Sequence, residues 1–231
     1  MALWSLSGRG SEEQMRVVIV GGHGKVGLRL GRLLAERGDD AVGLVRAQDQ
    51  TADLKGAGVE PVLLDLVAAS VDELAAAFEG ADAVVFSAGA GGKGGQQATN
   101  AIDGEGAVKA VAAAERAGVR RFLLVSVFMD AGRGRDLPDT FENYVRVKRA
   151  SDVHLAASAL AWTILRPGTL TDEPGTGRIN LGPAIAYGAV SRDDVAATLA
   201  ALLASPGTSG RVLELTEGEV PVAEAVARLV P

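Results

Sequence analysis

Tyr144 and Lys148 stand four positions apart in a stretch with helical spacing, so the two side chains share one helix face. Ser126 closes an apolar run, Phe122-Leu123-Leu124-Val125, ahead of that helix. A hydroxyl, a phenol and an ammonium gathered in this way could reduce a carbonyl. The phenol would donate the proton, and the serine hydroxyl would orient the substrate oxygen. The ammonium would lower the phenol's pKa by its charge and hold a nicotinamide ribose. The hydride would have to come from that nicotinamide. The plainer reading is a tyrosine at the edge of the core beside a solvated lysine, since such a pair is common by chance.

A nicotinamide needs a dinucleotide site, and one stretch offers it. Val17-Val18-Ile19-Val20 runs straight into Gly21-Gly22-His23-Gly24-Lys25-Val26-Gly27. Gly22, Gly24 and Gly27 fit G-x-G-x-x-G, while Gly21, Gly24 and Gly27 fit G-x-x-G-x-x-G. Gly21 or Gly22 would let the chain leave the strand sharply, Gly24 would let backbone approach a pyrophosphate, and Gly27 would let the helix pack close to the sheet. The N–H groups at the helix start, from Lys25 and Val26 onward, would favour phosphate charge. A plain strand–helix connector is the competing reading. His23 could hydrogen-bond the loop or a phosphate, although an ordinary loop histidine suits it better.

The elements around these residues alternate. Val26, Leu30, Leu33 and Leu34 mark the apolar face of a first helix, and residues 41–46 read as a second strand. That strand ends in Arg46, where an acid would bind the ribose 2′-hydroxyl of NAD; an arginine suits the 2′-phosphate of NADP. A solvated surface arginine is the alternative, and Asp49 and Asp53 lie close by. Further strands are predicted at 59–64, 83–86, within 119–127, at 162–165 and at 212–215. Helices are predicted at 71–78, 98–117, 141–158, 193–203 and 222–229. Ser87-Ala88-Gly89 ends one strand in small residues that leave room for a ligand, and residues 89–95 read as a mobile glycine-rich loop. The loops 130–139 and 171–178 are expected to wall a substrate pocket, with Arg133 or Arg135 able to favour an anion. Strands alternating with helices predict an α/β fold with a doubly wound, mostly parallel sheet of seven strands.

The 231 residues, 48% of them apolar, suffice for one large domain spanning 15–231. Residues 1–14 read as a flexible tail or an added extension, not a signal peptide. No cysteine is present and the two histidines share no ligand spacing, so no metal site is expected. A net charge of −6 without a basic block argues against nucleic acid. No apolar run could span a bilayer, and a cytoplasmic location is expected. Alanine-rich helix faces fit a core or an interface, which leaves monomer and homodimer both open.

In order along the chain, the glycine loop, Arg46, Asp65-Leu66, Ser87-Ala88-Gly89, Val125-Ser126 and Tyr144…Lys148 resemble the short-chain dehydrogenase/reductase superfamily. Trp162-Thr163-Ile164-Leu165-Arg166-Pro167-Gly168, followed by Leu170-Thr171-Asp172-Glu173-Pro174, resembles its atypical group, which holds epimerase/dehydratase-like proteins and flavin and biliverdin reductases. The resemblance implies a Rossmann fold with bound NADP. It puts the adenine near Asp65 and Leu66, and the nicotinamide end near Ser87, Ala88, Gly89, Lys148 and Pro167. A long interval filled by the 130–139 loop separates Ser126 from Tyr144. Three functions follow as expectations. The first is an NADP-dependent oxidoreductase of a small carbonyl, quinone or flavin. The second is a non-catalytic NADP-binding redox sensor. The third, a nucleotide-sugar epimerase or dehydratase, is disfavoured by the short segment after Pro167.

Overall fold

Strand β1 (Arg16–Val20) alternates its side chains between two apolar layers, and this alternation sets the architecture. The computed structural model describes residues 14–131 and 136–230. Val17 and Ile19 join one core cluster, and Val18 and Val20 join the other, as the period of two along a strand requires. The first layer holds α1 (Lys25–Arg37), which packs on α7 (Arg192–Leu203). The second holds α3 (Val71–Ala77) and α5 (Ala107–Arg116).

From β1 the chain builds outward twice. It first goes through β2 (Asp40–Val45), α2 (Thr51–Gly56) and β3 (Glu60–Leu63) on one side. It then returns to the other side of β1 with β4 (Ala83–Phe86), β5 (Arg121–Val125) and β6 (Ala161–Pro167). The reversal opens a crevice between the carboxyl ends of β1 and β4, the place where open α/β sheets bind ligands. Between β4 and β5 runs one continuous helical stretch: α4 (Gly95–Thr99), a π-helical segment (Asn100–Gly106) and α5. Helix α6 (Asp139–Ala156) leads into β6.

After β6 come β7 (Thr169–Thr171), β8 (Arg178–Gly182), β9 (Ala189–Ser191), β10 (Arg211–Glu217), β11 (Val220–Pro221) and α8 (Val222–Ala227). The main sheet has nine strands in the order β11-β8-β10-β6-β5-β4-β1-β2-β3, and β7 pairs with β9 in a small separate ribbon. The seven parallel strands are the seven expected. Beyond β10 the edge is extended by β8, which pairs antiparallel with β10, and by β11, which pairs antiparallel with β8. The expected tail falls on residues that, apart from Gln14, lie outside those described.

Gly21 turns the chain out of β1 at φ +88°, a conformation that only glycine adopts without strain. The other loop glycines answer to crowding. A Cβ on Gly22 would lie 2.6 Å from Gly43 Cα of β2, and one on Gly27 would lie 2.4 Å from the Gly21 carbonyl oxygen. Gly27 is therefore the residue that lets α1 start against the turn. Gly27→Ala should destabilise the fold by about 1–3 kcal/mol, because backbone rather than a movable side chain blocks the methyl group. Urea denaturation with an unchanged slope measures this; a shift under about 0.5 kcal/mol would contradict the packing argument.

Candidate functional site

Two neighbouring clefts open at the carboxyl ends of the parallel strands. The first has a volume of about 450 Å³ and follows β1, β2, β3 and β4. Its walls include Gly21, His23, Gly24, Arg46, Asp65, Leu66, Ser87, Ala88 and Gly89, all singled out in the sequence. Gln50, Val67, Lys93 and Ile102 also line it and carried no local signal.

The chemistry of this cleft follows from its donors. Gly24 caps α1 in an extended conformation, with no side chain accepting from the first turn and no acid within it. A helix start without a cap leaves its first N–H groups and its positive end available to an anion. Val26 and Gly27 are buried and offer only backbone there, whereas the Lys25 ammonium pairs with Asp172 outside the cleft. Asp172 also binds Arg192 at 2.8 Å. These contacts, the hydrogen bond from Lys25 first among them, hold the Asp172 carboxyl below its ordinary range.

Arg46 is exposed just past β2, and its N–H donates to Gln50 Oε1 at 3.2 Å. Among the described residues its guanidinium makes no ion pair. The nearby Asp53 is engaged instead by His23, whose Nε2 lies 2.8 Å away. Asp65 accepts the Val67 N–H at 2.8 Å, and Lys109 Nζ donates to the carbonyls of Leu66, Val67 and Ala69. Together these bonds fix the loop after β3.

The second cleft, about 300 Å³, lies at the ends of β5 and β6. Ser126, Tyr144 and Pro167 line it together with Val127, Ala131, Phe141, Gly168, Thr169, Leu170, Tyr187 and Arg192. The helix after the 130–139 loop thus brings Tyr144 back to Ser126 despite their separation in the chain. No residue of the expected wall 171–178 lines this cleft; Thr169, Leu170 and Tyr187 do. The reason is Gly168, where a Cβ would stand 2.0 Å from the Gly188 carbonyl oxygen, so the chain folds back tightly enough to pair β7 with β9. Tyr187 stacks edge-on against Phe128 and shares a hydrogen bond with Thr169. Arg133 and Arg135 lie outside the described residues.

Lys148 lines neither cleft. It is 3% exposed, donates to the Val125 carbonyl at 3.0 Å and pairs with Asp103 Oδ1 at 3.1 Å. Burial works against its charge, but Tyr144, Asp103 and Asp152 outweigh that and hold the ammonium above its ordinary pKa. Tyr144 runs opposite to expectation. Burial is the largest influence and raises its pKa, with Asp103 and Asp152 adding to it, while Lys148 lowers it only in part.

Asp103 and Asp152 were missed by the sequence reading. Asp103 Oδ2 accepts the Ala90 N–H at 2.9 Å, and Oδ1 stands where a Cβ on Gly89 would come within 3.0 Å. Asp152 sits one turn beyond Lys148 and binds Arg166 through Nε at 3.0 Å and Nη2 at 2.9 Å. Burial raises the Asp152 carboxyl, while Ser126 and Arg166 lower it in part. The sequence did carry a clue to Asp103. It is the one charge on a stripe of small residues, with Thr99 before it and Gly106, Ala107 and Ala110 after it at helical spacing.

Comparison with known proteins agrees with this geometry. A family model described as NAD(P)H-binding matches residues 21–206. The Bacillus subtilis protein named "Uncharacterized sugar epimerase YhfK" is 41% identical over 216 residues, covering 93% of this chain and 100% of that protein. The oxidoreductase ylbE from Lactococcus lactis superposes with a TM-score of 0.81 at 29% identity, covering 93% of this chain and 96% of that one. ChuY, an anaerobillin reductase from Escherichia coli O157:H7, superposes with a TM-score of 0.74 at 27% identity, covering 89% and 98%. The glycine turn at the β1–β4 crevice and the uncapped start of α1 agree with the family match, and the chain belongs to the NAD(P)H-binding family.

Proposed function

We propose that this chain is an NADP-dependent oxidoreductase that reduces a small carbonyl, quinone or flavin. The observation that carries the reading is the second cleft. A phenol and a serine hydroxyl line it beside the dinucleotide cleft, under walls supplied by Phe141, Tyr187 and Leu170. The first cleft suits the cofactor: an uncapped helix start for the pyrophosphate, an arginine free of carboxylates for a 2′-phosphate, and the Asp65–Leu66 loop for the adenine. When bound there, the nicotinamide would supply a hydride. Tyr144 would give a proton to the substrate oxygen, and Ser126 would orient it. Lys148, held behind the wall by Asp103 and Val125, would shape the nicotinamide end rather than reach the ribose in this conformation. The kinship with ChuY, named a reductase, favours the same chemistry.

The name of the YhfK relative favours a second reading, epimerisation of a sugar nucleotide. The segment between β6 and α7 weighs against it. It is spent on β7, β8 and β9, which belong to the main sheet and its ribbon and build no separate substrate lobe. A binding protein without turnover remains the third reading. Incubation with NADPH and a panel of ketones, quinones, flavins and sugar nucleotides separates them. Acceptor-dependent NADPH oxidation supports the reductase. Epimerised sugar nucleotide with no net NADPH loss, or no turnover at all, would overturn it.

Two variants test the cofactor side. Arg46→Ala should weaken NADPH about ten- to a hundred-fold, the worth of one charge-assisted contact, and leave NADH nearly unchanged. Equal losses in calorimetry would remove Arg46 from the site. Gly24→Val should abolish dinucleotide binding without unfolding the chain. Gly24 has φ −62° and ψ 154°, which valine tolerates, and its nearest crowding is one contact of 3.0 Å to the Gly21 oxygen. Retained binding with unchanged circular dichroism would reduce the loop to a connector.

On the catalytic side, Tyr144→Phe should leave cofactor affinity intact and lower kcat by about 10²–10⁴. Full activity of that variant on its best acceptor would take Tyr144 out of the mechanism and leave the proton to solvent.

A further inference from the structure

A buried set of balanced charges stands behind the Tyr144 wall. Asp103 is 1% exposed, and its two carboxylate oxygens are divided between Lys148 Nζ, at 3.1 Å, and the Ala90 N–H, at 2.9 Å. Asp152, also buried, is held by Arg166. Two anions thus face two cations, and none of the four lines a cleft. Tyr144 and Ser126 stand between these charges and the second cleft and line it. Lys148 Nζ lies 6.0 Å from the Tyr144 ring centroid, and the Tyr144 hydroxyl makes no hydrogen bond among the described residues.

We propose that Asp103 is a positioning residue that cancels the Lys148 charge at Tyr144, so that the ammonium does not acidify the phenol and Tyr144 holds its proton beyond the range in which a free tyrosine ionises. What the proton is used for rests on the reductase reading above; the state of the phenol does not. A lone buried ammonium at this range would stabilise a phenolate strongly, because charges interact with little screening away from water. A carboxylate in contact with it turns that charge into a dipole, whose field falls off much faster. The other groups around Tyr144 leave the balance unchanged in sense. Asp152 on the same helix opposes the phenolate, and Arg166 is committed to Asp152. Across the cleft, Arg192 is paired with Asp172, and Tyr187 is hydrogen-bonded to Thr169. Ser126 carries no charge.

In a reduction the Tyr144 O–H bond would break and its proton would go to the substrate oxygen, while a nicotinamide bound in the first cleft would supply the hydride that the carbonyl carbon takes. Tyr144 then regains a proton from water in the cleft. Oxidation of an alcohol needs the phenolate to be present first, and this site makes that form costly.

The chain contains two tyrosines, which makes the test direct. In a Tyr187→Phe background, near-ultraviolet tyrosinate absorbance reads Tyr144 alone. Across the pH range in which circular dichroism keeps the folded signal, that protein should stay phenolic beyond the midpoint of free tyrosine. Adding Asp103→Asn should bring ionisation down by about one pH unit or more, because the ammonium then acts unopposed. An Asp103→Asn protein whose Tyr144 titrates unchanged or later would overturn the proposal. If that variant fails to fold, the neutral double replacement Asp103→Asn with Lys148→Met decides. A midpoint within about half a unit of the parent supports cancellation, and any larger shift refutes it. Both outcomes are read without substrate, so a wrong reductase assignment would not alter them.

Discussion

The approach of backbone to backbone at the β1–β4 crevice is the constraint on which the rest of this structure depends. A Cβ on Gly21 would sit 2.7 Å from the Cα and N of Ala88, so the turn after β1 and the loop after β4 touch with no side chain between them. Gly27 lies against the same turn, and Gly22 lies against Gly43 of β2. These contacts put the start of α1 beside the ends of three strands. They leave a trough whose floor is backbone and whose polar groups point at any anion laid in it. A larger residue at any of these points would push the helix off the sheet and close the trough.

A second organising feature is charge kept away from water. Burying an ion pair is costly unless hydrogen bonds complete it, and breaking one is costlier still. Here the completion is partly done by backbone: the Ala90 N–H binds Asp103, and the Val125 carbonyl accepts from Lys148. The network therefore fastens the loop after β4 to the end of β5, the two walls between which a nicotinamide would lie. Asp152 and Arg166 repeat the arrangement one helical turn further on and tie α6 to β6. Such pairs add little net stability, but they leave the two walls one relative position.

Local signals fixed much of this in advance. Apolar strands, the glycine loop, Arg46 at the end of β2 and the Tyr144 helix face all follow from the spacing of residues near one another in the chain; Gly21, His23, Gly24 and Arg46 line the first cleft and Tyr144 the second. Lys148 lines neither cleft, and its partner Asp103 is distant in the chain and comes from the π-helical segment. Strand β8 was illegible for a similar reason. Its sequence, Arg178-Ile179-Asn180-Leu181-Gly182, is a weak strand until β10 pairs with it. Gly168 entered through the family resemblance, yet its structural role lies in its contact with Gly188, which no local pattern reveals.

The account stands or falls on the two clefts being halves of one site. A crystal structure of the chain grown with NADP⁺ tests that most directly. The account places the pyrophosphate on the N–H groups at the start of α1 and the 2′-phosphate on Arg46. It turns the nicotinamide into the cleft that holds Ser126 and Tyr144. A dinucleotide bound elsewhere, or one whose nicotinamide faces away from Tyr144, would contradict it.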